Sequence, residues 1–397
     1  MNKQLGAILM VAGTAIGGGV IALPIMMAKL GIVWGTISMI FIWLVVYYTA
    51  LVNIELNLHA KEGLTLGQLG ALFSGKIASF LGVGSLKILM FSLMSVYIYG
   101  LTSLVKGAFG LEYAYFPAIA IPVSLCLFLI LLSPIHYLDY FNRVLFIGIL
   151  AIAGVLLLVL SCSINVSNMP LLVGKYSEFS SWRLAIPVLF TSFGFQVLFH
   201  TLSNYCNMDK NILNKVFLWG SLLPVVVYII WTVSALCIIY DRNPDLYASM
   251  VAGKIDVDGL VKELSLISGV EAIHALVWGI SFLAIATSAL GVGIGLRDSI
   301  ELYMGIKVKW SRLLAAMITV APPCIVAIVV PNAFIVILGF AGMILSFLAI
   351  LLPIYILIAG KFKTAHYPST RNKWILAGSF ITGILIIAFE IGNLFLK

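Results

Sequence analysis

The sequence predicts an all-α polytopic membrane protein of about eleven transmembrane helices, arranged as a 5+5 inverted repeat with broken helices 1 and 6 and one helix appended. Three observations carry this. The 397 residues are 62% hydrophobic and 10% charged, a balance outside the range of soluble domains. The apolar residues fall into separate runs, each long enough to cross a hydrocarbon core of about 30 Å. Two of these runs, the first and the sixth, are interrupted near mid-membrane by glycine, proline and hydroxyl residues.

In order, the runs cover about 5–28, 32–57, 77–106, 115–134, 142–163, 183–206, 214–240, 271–296, 311–330, 333–358 and 373–395. The first five make repeat 1 (residues 1–163), the next five repeat 2 (183–358), and 373–395 is additional. An odd number of spans per repeat inverts the second copy. The halves share no residue-level identity, so the repeat is inferred from the two breaks alone.

With the N-terminus inside, fourteen Lys and Arg residues fall in inner segments and eight in outer ones, while Lys87 stays within the third run. Positive charge is retained on the cytoplasmic side. The N-terminus is therefore expected inside and, with an odd number of spans, the C-terminus outside. The net charge of +8 then points to anionic lipid at the cytoplasmic face, and no nucleic-acid motif argues otherwise. The first run is too long for a removable signal peptide and lacks a small-residue cleavage site.

Other chemistries find little support. Cys126, Cys162, Cys206, Cys237 and Cys324 stand singly in or beside apolar runs with no CxxC or Cys/His spacing, so metal and disulfide readings are weak; no metal and no cofactor is expected. Gly291, Gly293 and Gly295 lie inside an apolar run without the βαβ setting of a dinucleotide loop. No nucleophile–base cluster suggests an enzyme. A channel would need a continuous polar lining, and a receptor a soluble output domain; neither is evident.

The first break reads Gly13-Thr14-Ala15-Ile16-Gly17-Gly18-Gly19-Val20-Ile21-Ala22-Leu23-Pro24. Four glycines in seven residues disfavour a continuous lipid-facing helix. A helix broken near residues 15–18 aims the free N–H groups of its second half into the protein, where a partial positive charge attracts a carboxylate. Close small-xxx-small packing through Gly13 and Gly17 is the alternative. The second break reads Ala185-Ile186-Pro187-Val188-Leu189-Phe190-Thr191-Ser192-Phe193-Gly194-Phe195-Gln196. Two interrupted runs in corresponding positions point to a transporter's binding site.

These segments, with Tyr48-Thr49-Ala50-Leu51, Leu138-Asp139-Tyr140-Phe141-Asn142-Arg143, Ala286-Thr287-Ser288-Ala289-Leu290-Gly291-Val292 and Leu338-Gly339-Phe340-Ala341-Gly342, resemble the aromatic and hydroxy amino acid permeases. That bacterial family belongs to the amino acid–polyamine–cation superfamily. The resemblance runs in family order along nearly the whole chain and is strongest to the tyrosine-specific members. It implies the five-plus-five fold and uptake of an aromatic amino acid, L-tyrosine first, by proton symport with alternating access. Tryptophan or serine/threonine transport within the family, and Na⁺ coupling, remain alternatives. One stretch departs: where the family has His-Gly-Ser-Val-Pro, this chain has Gln196-Val197-Leu198-Phe199-His200.

A zwitterionic substrate needs donors for its carboxylate and acceptors for its ammonium. Gly17, Gly18 and Gly19 supply N–H groups, Thr14 a hydroxyl, and Ala15 and Ile16 the turn between the half-helices. Backbone carbonyls at both breaks supply acceptors, so no buried acid is required beside them. Ser192, Phe193, Gly194 and Phe195 form the second break, and Gln196 either bonds a phenol or indole or ties two helices together. The resemblance places Tyr97 and Tyr99 on a pocket-lining span; an aromatic substrate suits such rings, although packing alone also accounts for them. Thr287 and Ser288 match the place where sodium-coupled relatives of this fold hold an ion; hydroxyl bonding within or between helices is the alternative. Glu55 and His200 are intramembrane ionisable groups and hence proton-carrier candidates, or an interfacial carboxylate and a satisfied polar contact. Asp139, Asn142 and Arg143 open the fifth run on the inner side and are expected to form a gate or an interface ion pair.

Overall fold

A computed structural model describes residues 3–133, 178–255, 271–304, 310–330 and 333–395, with short helical pieces within 144–155 and 259–260. All regular structure among the described residues is helical. Seven stretches are long and apolar enough to cross a membrane, and Gln4–Ala15 and Phe116–Leu131 are shorter apolar helices. The expected fifth run, and with it Asp139, Asn142 and Arg143, lies largely or wholly outside the described residues.

Both interrupted runs are interrupted in the structure. The first is α1 (Lys3–Ala15), a turn, then α2 (Gly19–Leu30). Gly31, at φ 77°, takes a left-handed conformation that side chains resist, and turns the chain directly into α3 (Ile32–Ala60). Next comes α4 (Leu66–Phe73), a helix of two turns started by a capping box in which Thr65 and Gln68 bond each other's backbone N–H. It is too short to span and was not anticipated. α5 (Lys76–Ala108) and α6 (Phe116–Leu131) follow.

The sixth run is α7 (Phe179–Thr191), an irregular stretch with a 3₁₀ turn at Gln196–Leu198, and α8 (Phe199–Tyr205). α9 (Lys210–Arg242) is capped by the Asp209 carboxylate, which accepts the N–H groups of Asn211 and Ile212. The short α10 (Pro244–Val251) then leads toward α11 (Glu271–Met304) and α12 (Ser311–Val329). α13 (Ala333–Ser346) and α14 (Leu352–Ala359) form one rod joined by a π turn at Phe347–Leu351. The cause of the π turn is local: Pro353 has no N–H for the carbonyl of Ala349, and its ring crowds the turn before it. α15 (Lys373–Phe395) is last.

α5 packs against α13, α11, α12 and α6, while α1 packs on α9 and α7 lies between α2, α13 and α15. The outer surface is apolar, as on α3 at Ile37, Ile40, Phe41 and Leu44. Thr49, Asn53 and Asn57 are buried on the opposite face of α3, and Glu55 is buried near its C-terminal end. A lipid solvent accounts for this placement, because hydrocarbon outside removes the penalty for apolar exposure and sends polar groups inward.

Candidate functional site

The site is built where the two breaks meet. α1 ends at Ala15, and among the described residues no backbone acceptor takes the N–H of Gly17 or Gly18. These donors stand at the positive end of α2. Gly18 has φ −55° and ψ −21°, an ordinary right-handed conformation, so it is on either side of it that glycine serves for room. A Cβ at Gly17 would fall 2.6 Å from Ser288 Oγ, and one at Gly19 would fall 2.7 Å from both Ser192 Cβ and the Tyr228 hydroxyl. At Gly18 the nearest atom is Phe334 Cζ at 3.4 Å, an ordinary contact.

At the second break, the Thr191 hydroxyl lies within hydrogen-bond reach of Pro187 O (2.9 Å) and Leu338 O (2.8 Å), seating the end of α7 on α13. Ser192 Oγ donates back to Val188 O at 2.9 Å. The Phe190, Thr191 and Phe193 carbonyls accept the N–H groups of Phe193, Gly194 and Phe195, so each retains one lone pair for other work.

α9 joins the two breaks. The Tyr228 hydroxyl is shared between Ala15 O at 2.6 Å and Ser192 O at 3.1 Å. One turn on, Trp231 Nε1 donates to Val20 O at 2.5 Å. Tyr228 also stands edge-on to Phe193, with ring centroids 5.6 Å apart. Tyr97 of α5 passes close to Gly17 and Gly18, and Phe334 of α13 wedges between Gly18 and Gly100. Ser288 Oγ sits beside the Tyr97 hydroxyl yet meets no partner of good hydrogen-bond geometry among the described residues. The enclosure thus has amide donors, unused carbonyl lone pairs, the Ser288 hydroxyl beside Tyr97, and the rings of Tyr97, Phe193, Tyr228 and Phe334.

Several anticipated residues converge here: Ala15, Gly17, Gly18, Gly19, Ser192, Phe193, Tyr97 and Ser288. Ile16 is buried in the turn beside them. Others turn elsewhere. The Thr14 hydroxyl bonds Met10 O of its own helix. Thr287 donates to Leu283 O and Ala284 O, so of the adjacent hydroxyls only Ser288 faces the first break. Tyr99, two residues and therefore about 200° around the helix from Tyr97, packs on Phe116 with centroids 4.8 Å apart. Phe195 joins a separate aromatic cluster with Phe199 and Phe217. Gly194 packs under the Thr191 carbonyl. Tyr228, Trp231 and Phe334 were missed, although Tyr228 and Trp231 form an i, i+3 pair of rings with polar tips inside an apolar run.

Gln196 and His200 line a cavity of about 40 Å³ with Asn53, Thr65 and apolar neighbours, a volume that holds a few waters. Both Gln196 amide atoms and Asn53 Oδ1 are buried without a hydrogen-bond partner among the described residues, so the polar wall of this cavity is unsatisfied. His200 Nε2 lies 3.1 Å from Thr201 Oγ1.

Glu55 faces the loop between α14 and α15. Its oxygens accept the backbone N–H groups of His366 and Tyr367, both at 2.8 Å, and Oε1 lies 2.9 Å from His59 Nε2. Burial raises the Tyr367 phenol above its ordinary range, and its hydroxyl donates to Lys210 O at 3.0 Å. Glu55, His59 and His366 are the described residues that could hold a metal ion.

A second buried carboxyl was overlooked. Glu390 on α15 is 3% exposed and lies flat against Gly339 of α13, where a Cβ would come within 2.7 Å of its Oε2. Asn393 Nδ2 donates to Glu390 Oε2 at 3.0 Å, and Asn393 also exchanges hydrogen bonds with Arg183 of α7. Gly339 is next to Leu338, whose carbonyl seats Thr191.

A family model described as the tryptophan/tyrosine permease family matches residues 1–396. Tyrosine-specific transport system 1 of Haemophilus influenzae is 30% identical, over 98% of this chain and 95% of that protein. Tyrosine-specific transport system 2 of the same organism is 26% identical, over 97% and 95%. The tryptophan-specific transport protein of Pseudomonas aeruginosa is 25% identical, over 98% and 93%.

Proposed function

As the chain belongs to the tryptophan/tyrosine permease family, we propose that it is a secondary transporter that imports an aromatic amino acid, L-tyrosine first, by proton symport in a bacterial inner membrane. Its named relatives are transport proteins, which favours a transporter over an enzyme. The observation that carries the reading is the meeting of two broken helices at one hydroxyl, with amide donors, carbonyl acceptors and aromatic rings around it. The substrate carboxylate goes to the N–H groups of Gly17 and Gly18. Its ammonium goes to the carbonyls of the two breaks, and its ring to the space now filled by Phe334, Phe193 and Tyr97. Two half-helices can rock without breaking a continuous backbone ladder, which suits alternating access.

We read the chain as eleven spans, N-terminus in the cytoplasm and C-terminus in the periplasm, with residues 1–163 and 183–358 as inverted repeats. The bundle comprises α1–α3 and α7–α9; α5, α6, α11 and the fifth run form the scaffold, with Asp139, Asn142 and Arg143 at its inner gate. The cavity at Gln196, Asn53 and His200 is a wet step on the inward path. Tryptophan is the second reading, favoured by the tryptophan-specific relative; Na⁺ coupling would use Ser288 against Gly17.

The test is uptake of labelled tyrosine into proteoliposomes under an imposed pH or Na⁺ gradient, with unlabelled amino acids competing. Accumulation with an acidic exterior and no Na⁺, abolished by a protonophore, is expected. Accumulation that requires Na⁺ overturns the proton reading, and transport of another amino acid in place of tyrosine overturns the substrate.

Glu390 is the carboxyl we assign to proton binding, because it is buried within the last apolar span and touches the helix that seats the second break. Glu390→Gln is expected to lower pH-driven accumulation about tenfold or more while tyrosine–tyrosine exchange, which needs no net proton movement, persists. Undiminished accumulation in this variant would return the role to Glu55 or His200.

A further inference from the structure

We propose that Glu55, His59 and His366 form a binding site for a divalent transition-metal ion of the zinc class, which bridges α3 to the loop between α14 and α15. One ligand atom from each lies within 4.8 Å of the other two. Two imidazoles and a carboxylate are a ligand set that zinc accepts, with a fourth position left for water.

The residues come from two separate segments, with 311 positions between Glu55 and His366. Their setting is already ordered. The backbone N–H of Tyr367 holds Glu55 Oε2 at 2.8 Å, fixing the carboxylate plane. The His59 ring stacks on Phe362 with centroids 4.0 Å apart and planes 7° from parallel. Phe362 is in turn braced edge-on by Phe73 of α4. The Lys210 ammonium bonds the His366 carbonyl, which holds that residue's backbone, and the His366 ring lies 4.9 Å from the His59 ring between centroids. Such outer contacts orient ligands and add to metal affinity.

At present His59 Nε2 and Glu55 Oε1 are 2.9 Å apart, joined by a hydrogen bond. Ligands around a tetrahedral zinc ion are spaced about 3.3 Å apart, so this pair must open by roughly 0.4 Å. His59 then carries its proton on Nδ1 and the ion replaces the hydrogen bond. His366, on the exposed side of the cluster, swings its ring inward to complete the set. Because α3 lies in the moving bundle and the loop runs between α14 and α15, the bound ion locks one against the other. That locking effect rests on the alternating-access reading above; binding does not.

The test uses the full-length chain in detergent, titrated with Zn²⁺ in a calorimeter at neutral pH. Saturable binding of one ion per chain is expected, weakened about tenfold or more in His366→Ala and in His59→Ala. His366→Ala removes an exposed ring and leaves the backbone N–H to Glu55 intact, so its metal-free uptake should match the parent. Equal affinity in parent and His366→Ala, or no saturable binding, overturns the site. In proteoliposomes, Zn²⁺ at the face bearing the loop should slow tyrosine uptake by the parent and spare His366→Ala. Calorimetric binding without slowing overturns the lock, and loss of all tyrosine uptake without metal counts against the transport reading instead.

Discussion

Gly19→Ala is expected to reduce tyrosine uptake by roughly ten- to a hundredfold, while Gly18→Ala next to it stays within about threefold of the parent. The added methyl at residue 19 would lie 2.7 Å from Ser192 Cβ and from the Tyr228 hydroxyl. Neither neighbour is the loose end of a flexible side chain: Ser192 is tied to Val188 O, and Tyr228 to two carbonyls. Overpacking a fixed site costs about 1–3 kcal/mol, and each 1.4 kcal/mol is tenfold. At residue 18 the first atom met is 3.4 Å away, on a phenylalanine edge. Initial rates normalised to protein in the membrane make the comparison. Equal effects of the two substitutions would show that crowding between the breaks does not govern transport.

Tyr228→Phe carries the second large effect. No backbone N–H donates to the carbonyls of Ala15 or Ser192 among the described residues, so the Tyr228 hydroxyl serves both. Removing it keeps the ring beside Phe193 but takes away the one proton that these two buried acceptors share, at about 1–3 kcal/mol. Uptake should fall roughly tenfold or more, with a lower melting temperature of the purified protein. Because the same hydroxyl ties α1 to α7 through α9, tyrosine should also protect the variant less against melting than it protects the parent. Parent-like uptake and protection would remove the two-carbonyl tie from the mechanism.

Both variants probe features that differ in how far sequence reveals them. The location of each break is legible because it is local: Gly17-Gly18-Gly19 and Ser192-Phe193-Gly194 interrupt apolar runs, and helices fail there in the structure. The separation of adjacent residues into different roles is less legible. Thr287 and Ser288 differ by about 100° around one helix, and Tyr97 and Tyr99 by about 200°. Only the packing of α11 and α5 decides that Ser288 and Tyr97 face the break, while Thr287 bonds its own helix and Tyr99 packs on Phe116. Glu55 reads from sequence as an intramembrane carboxylate, yet its donors come from a loop more than 300 positions away.

By itself, then, the sequence determined that the chain crosses a membrane repeatedly and where two spans break, because hydropathy and backbone propensity act over a few neighbouring residues. Tertiary structure decided what fills the gap: Tyr228 lies 213 positions from Ala15, and Trp231 lies 211 from Val20. It also decided that Glu390, in the appended helix, rests on Gly339 beside the carbonyl that seats the second break. Hydrogen bonds and steric fit act only at contact distance, so partners remote in the chain become visible only when the helices have packed.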